Sequence, residues 1–263
     1  MFQYAELICD YVLKNYDVSN DLISMKLKHT IRVYELMVKL VEKLHLDNHD
    51  ARLALFIALF HDLGRFYEAK INNKFNNRYD HAADSVRVLF DEGLIKKFPI
   101  DETDYDLIKK AVFYHNKKEL PEDLTDKEQF FCHMIRDVDK IDIFHVMATE
   151  EVKTFYFVPT EKVLTNFYNR ELIDIRDIKN KSDTTLLYLA FPDQLHFKES
   201  VKILKEKGYL DEFINSIDVN NDPLIKDIFD HLVEEMDTRY ENNLNNKKVL
   251  RKEGTYGRIR QKI

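Results

Sequence analysis

Four stretches of the chain carry side chains that could bind a cation or move a proton. His29 stands on a helical apolar stripe with Leu22, Met25, Val33 and Leu36. His61-Asp62 directly follows LALFIALF (residues 53–60), a run too apolar to be anywhere but buried. An imidazole and a carboxylate ending such a helix enter the interior, where unpaired polar groups are costly. They need a partner, and a metal ion is an economical one. His115 ends a third helical pattern whose stripe is Tyr105, Ile108 and Val112. MIRDVDKIDIF, residues 134–144, sets Asp137, Asp139 and Asp142 among Ile, Val and Phe. Periodicity turns at least one of these aspartates inward without choosing which; surface pairing with Arg136 and Lys140 is the other reading. His29 and His115 also fit satisfied core histidines. Taken together, nitrogen and oxygen donors without thiolates suit Fe, Mn, Co, Ni or Mg better than structural zinc.

The elements that must position these groups read as helix after helix. Apolar spacing of three and four predicts helices over roughly 4–14, 21–44, 50–63, 82–92, 104–115, 126–148, 198–207 and 223–243. Gly64, Gly93 and Gly208 each follow a helical pattern and suit a left-handed C′ position. The Asn-rich stretch 68–80 reads as a loop or lid. Residues 153–195 read as irregular packing segments or one short β-hairpin. The expected fold is therefore all-α. Three parts are expected: a helical core over 1–150, a helical extension over 151–246, and a basic tail over 247–263.

Composition narrows the function classes. The 263 residues include only 5 glycines, against an average usage of about 7%. That shortage argues against a dinucleotide-binding Rossmann unit, a P-loop or a turn-dense barrel. A net charge of −7 is not built to coat nucleic acid. No apolar run approaches the roughly 20 residues of a membrane span, and no signal-peptide pattern opens the sequence. Cys9 and Cys132 lie far apart in apolar surroundings and read as free buried thiols. A reducing cytoplasm is the expected compartment.

The order His29, His61-Asp62, Asp139, with HDLGR at 61–65 and RDVDKID at 136–142, resembles the HD-domain superfamily of metal-dependent phosphohydrolases. The resemblance covers about residues 20–150; beyond it the chain is similar to a bacterial subgroup of that superfamily. It implies an HD-type helical bundle and a metal site on His29, His61, Asp62 and Asp139. It is the resemblance, not the periodicity, that selects Asp139 over Asp137. It further implies that His81 and His115 could hold a second ion bridged by Asp62. Relatives with two ions often carry adjacent histidines where this chain has His115-Asn116, so one ion and two both stay open.

The activity so implied is hydrolysis of a phosphate ester or anhydride, with a nucleotide as the expected small-molecule substrate, by water activated on a divalent metal. Asp62, Arg65 and Lys140 are the expected catalytic residues, the two cations stabilising charge on the phosphoryl oxygens. Arg78, Lys117 and Lys118 are weaker candidates. Phe66, Tyr67, Phe75 and Tyr79 could enclose a base. No membrane or nucleic-acid partner is expected; a homo-oligomer is compatible. A non-catalytic module that senses metal or nucleotide is the alternative, and a helical interaction protein with a structural polar core is the third reading.

Overall fold

A computed structural model describes residues 3–76, 79–150 and 153–244. Arg78 and the basic tail lie outside the described residues. The chain divides into two compact units, Met1–Asp142 and Ile143–Ile263.

The first unit is built from α1 (Gln3–Asn15), α2 (Asp21–Lys43), α3 (Asn48–Phe60), α4 (Leu63–Asn72), α5 (His81–Val86), α6 (Tyr105–Tyr114) and the larger part of α7 (Asp126–Glu150). Asn20 caps α2 by accepting from the Leu22 amide, and Asp47 caps α3 by accepting from the His49 and Asp50 amides. From Leu53 to Phe60 every residue of α3 is buried, so this part of the helix is apolar all round and forms the centre of the unit. Around it pack Val33, Leu36, Met37 and Leu40 of α2 and Ile108, Ala111 and Val112 of α6. Burying such side chains stabilises by about 1.5–3 kcal/mol each before chain entropy is counted.

One expected boundary differs. The helix over 50–63 breaks earlier, at His61 and Asp62, and Gly64 lies inside α4 rather than in a left-handed cap. Its glycine has another cause: a Cβ there would sit 2.1 Å from the His81 carbonyl oxygen and 2.8 Å from Asp84 Cβ. Only a bare Cα lets α4 and α5 approach this closely. Gly93 and Gly208 do adopt positive φ, 73° and 66°. The stretch 68–80 is a loop only in part, since α4 runs to Asn72 and ends on Asn73 in the left-handed region.

The second unit holds β1 (Thr154–Phe155), α8 (Glu161–Asn169), α9 (Lys181–Leu189), α10 (Lys198–Lys207), α11 (Tyr209–Ser216), β2 (Asp218–Val219) and α12 (Pro223–Leu244). Of the two readings of 153–195, the short β-hairpin is not formed. β1 pairs in parallel with β2, Thr154 against Asp218, a partner distant in sequence that a local reading does not see. Arg239 of α12 is buried, held by the Phe167 carbonyl at 2.7 Å and by Glu235 at 3.0 Å. Cys132 is a buried free thiol as expected, whereas Cys9 is free but only half-buried. Among the described residues no helix is long and apolar enough to cross a membrane.

Candidate metal centre

The break between α3 and α4 places the site. His61 closes α3, and Asp62, at the start of α4, makes no capping hydrogen bond. Its carboxylate turns inward instead, where α2, α5, the end of α6 and α7 each present a side chain. His29 comes from α2, His81 opens α5, His115 follows α6, and Asp139 and Asp142 come from α7.

The two oxygens of Asp62 face different groups. Oδ2 lies 3.6 Å from His29 Nε2 and 3.9 Å from His61 Nε2. Asp139 Oδ1 closes that group at 3.2 Å from His29 Nε2 and 3.8 Å from His61 Nε2. Asp62 Oδ1 lies 3.3 Å from His81 Nε2 and 3.5 Å from His115 Nε2, and those two nitrogens are 3.2 Å apart. Asn116 sits against the His81 ring, 3.2 Å from Nε2. The donor atoms of His29, His61 and Asp139, and those of His61, Asp62 and His115, converge to within 4.8 Å of one another.

Outer contacts orient the rings. His61 Nδ1 lies 2.8 Å from the Ala58 carbonyl, and His115 Nδ1 2.6 Å from that of Val112. A carbonyl only accepts, which assigns the proton to Nδ1 in both rings and leaves a lone pair on Nε2 of the neutral imidazole. His29 Nδ1 likewise faces Asp142 Oδ2 at 2.7 Å. Arg32 holds that carboxylate with Nε at 2.7 Å and Nη2 at 3.0 Å. Arg136 donates to the carbonyls of Tyr114, His115 and Lys117, fixing the end of α6 that carries His115.

The resulting electrostatics favour the ligand forms of Asp62, Asp139 and His81. Burial works against the charge of Asp62, but Lys26, ahead of the histidines, holds its carboxyl well below the ordinary range. Asp139 is likewise held well below the ordinary range, His29 and His61 overcoming its burial. Burial takes His81 down to about 2, keeping its ring neutral; Asp62 opposes this, while His115, Arg65 and Lys26 add to it. His29 goes the other way. Burial and Lys26 disfavour its charge, but the Asp139 and Asp142 carboxylates outweigh both and raise its pKa.

A cation fits this donor set. His29 Nε2 and His61 Nε2 are buried and make no hydrogen bond. Each such orphan costs about 1–3 kcal/mol, and both face carboxylate oxygens that cannot donate to them. Acceptors crowded on acceptors are what a metal ion satisfies.

The other expected residues are placed as follows. Arg65 bonds Glu68 Oε2 at 2.7 Å and lies over the Phe75 ring at 5.2 Å. Lys140 neighbours Asp139; burial, with Arg136 adding, lowers its pKa to about 8 against the pull of Asp137 and Asp139. Lys117 is paired with Asp80, and Lys118 is exposed. Phe66 is core, packed on Tyr16, and Tyr79 bonds Asp84. Phe75 is the aromatic that meets Lys26 and Arg65. Two residues escaped the sequence reading. Lys26 Nζ lies 2.8 Å from Asp62 Oδ2, and Arg32 anchors Asp142. Their spacing, three residues to either side of His29, was the available signal, since it puts them on the same helix face.

The family model for the HD domain matches residues 27–147. Neither curated proteins nor solved structures give a match to the chain.

Proposed function

We propose that this chain, whose residues 27–147 match the family model for the HD domain, hydrolyses a phosphate ester or anhydride of a nucleotide, as HD-domain proteins are generally metal-dependent phosphohydrolases. His29, His61, Asp62 and Asp139 would hold a divalent ion. The observation that carries the reading is the pair of orphaned imidazole nitrogens, His29 Nε2 and His61 Nε2, facing the Asp62 and Asp139 carboxylates. The split of Asp62, one oxygen toward each histidine group, favours a second ion on His81 and His115.

When bound, the metal supplies Lewis acidity and an acidified water as nucleophile. The chain's own residues do the rest. Asp142 and the Ala58 carbonyl keep the His29 and His61 rings turned with Nε2 inward. The site opens toward Asp139 and Lys26, whose side chains keep 19% and 17% exposure, while the side chain of His61 has none. Substrate therefore enters on that side, where Lys26, Lys140 and Arg65 offer positive charge to a phosphoryl group. Phe75, beside Lys26 and Arg65, offers a face to a base.

The test is phosphate release from a panel of nucleotides and phosphoesters with Mn, Fe, Co, Ni and Mg. Turnover with at least one pair, lost together with metal in Asp62→Ala, supports the proposal. Tight metal binding with no turnover on any substrate selects the sensing module instead.

A further inference from the structure

The site contains a positive charge of its own, set against the Asp62 oxygen that faces His29 and His61. We propose that Lys26 is a built-in counter-cation: it neutralises Asp62 while the centre is metal-free, leaves Asp62 when a divalent ion binds, and then holds the phosphoryl group of the substrate. The proposal rests on the metal-dependent reading above and adds to it an exchange of Lys26 between Asp62 and the substrate.

Three observations carry it. First, Lys26 Nζ bonds Asp62 Oδ2 at 2.8 Å, and this same oxygen faces His29 Nε2 and His61 Nε2. The ammonium thus lies against the oxygen that completes the first ligand group. Second, it is an incomplete substitute. It answers the charge of Asp62, but His29 Nε2 and His61 Nε2 remain without a hydrogen bond. Lys26 offers nothing to the two imidazole nitrogens, so a cation that binds both Asp62 and imidazole displaces the ammonium. Third, Lys26 has somewhere to go. Its side chain keeps 17% exposure, and Nζ is already 5.6 Å from the centroid of the Phe75 ring. A lysine is a mobile point charge on a four-carbon stem, and an aromatic face accommodates it outside the ligand group. From there it faces the open side of the site, where an incoming phosphate approaches.

The exchange makes an unusual prediction: removing Lys26 moves two affinities in opposite directions. In Lys26→Met the competitor for Asp62 is gone, so Mn²⁺ binds the metal-depleted protein about tenfold more tightly. Inorganic phosphate binds the metal-loaded variant about tenfold more weakly than it binds metal-loaded wild type. Calorimetry on the full chain reads both, and circular dichroism checks the fold. Lys26→Gln keeps a donor for Asp62 without the charge and repeats the measurement should the methionine variant misfold. Tighter metal with weaker phosphate supports the proposal. Unchanged affinities, or two that weaken together, overturn it and assign Lys26 a structural role, while leaving the metal centre standing. Absence of Mn²⁺ binding by wild type overturns both this inference and the reading beneath it.

Discussion

Asp142→Asn probes the layer behind the ligands. Asp142 is fully buried and accepts from His29 Nδ1 at 2.7 Å and from Arg32 at 2.7 and 3.0 Å. An asparagine keeps one acceptor oxygen and adds an amide donor, which must face either Arg32 or His29. Facing Arg32, donor meets donor, and the guanidinium loses its counter-charge. Facing His29, the amide forces the ring proton from Nδ1 to Nε2, the atom that would bind metal. Loss of such an outer carboxylate weakens metal binding by about 10–100-fold, or roughly 1.4–2.7 kcal/mol. Breaking one side of a buried ion pair costs about 3–5 kcal/mol; the Arg32 side chain is 22% exposed, so about 2–3 kcal/mol is expected here. Calorimetric titration of metal-depleted protein with Mn²⁺ measures the first quantity, and urea unfolding in chelator the second. The double variant Arg32→Leu/Asp142→Asn removes the stranded charge, so it regains stability without regaining metal affinity. Metal binding by Asp142→Asn within twofold of wild type refutes the claim that Asp142 sets the His29 tautomer.

Three further outcomes follow from the geometry. Gly64→Ala pushes a methyl group into the His81 carbonyl at 2.1 Å and destabilises by about 3 kcal/mol; a loss under about 1 kcal/mol on urea unfolding contradicts the close approach of α4 and α5. Because the pKa of His29 is raised on folding, its charged form contributes stability fully below the unfolded value of about 6.5, and that contribution fades as pH rises through the folded value. The stability gap between wild type and His29→Gln in chelator therefore narrows from pH 6 to pH 8, and a widening gap contradicts the sign. Arg136→Ala frees the carbonyls of Tyr114 and His115 and costs about 1–3 kcal/mol, with metal stoichiometry at the His81–His115 group falling while the His29 group still loads; elemental analysis of the loaded protein reads the difference.

How far the sequence discloses the molecule depends on the range of each signal. His61-Asp62 is legible because an eight-residue apolar run (Leu53–Phe60) fixes where its side chains go. Helices α1, α2, α3, α5, α6 and α7 are legible because periodicity is local, whereas α4 is hidden between a glycine that reads as a cap and an Asn-rich stretch that reads as a loop. Asp139 is not separable from Asp142 by periodicity, and the structure explains why: both face inward, one toward the ligand cluster and one behind His29. Gly64 misleads because a glycine that ends a helix and a glycine that admits a neighbouring backbone look alike in one dimension. Lys26 and Arg32 look like solvated helix residues until Asp62 and Asp142 arrive from distant segments. The β1–β2 pairing joins residues 154 and 218, a contact no local pattern contains.

The central claim is that imidazoles and carboxylates from separate helices grip a cation. Anomalous scattering from crystals of the protein loaded with Mn²⁺ tests it most directly. A peak is expected about 2.0–2.3 Å from His29 Nε2 and His61 Nε2, with an Asp62 oxygen and Asp139 completing the shell. Crystals with no peak there, and with those nitrogens hydrogen-bonded to ordered water instead, contradict it.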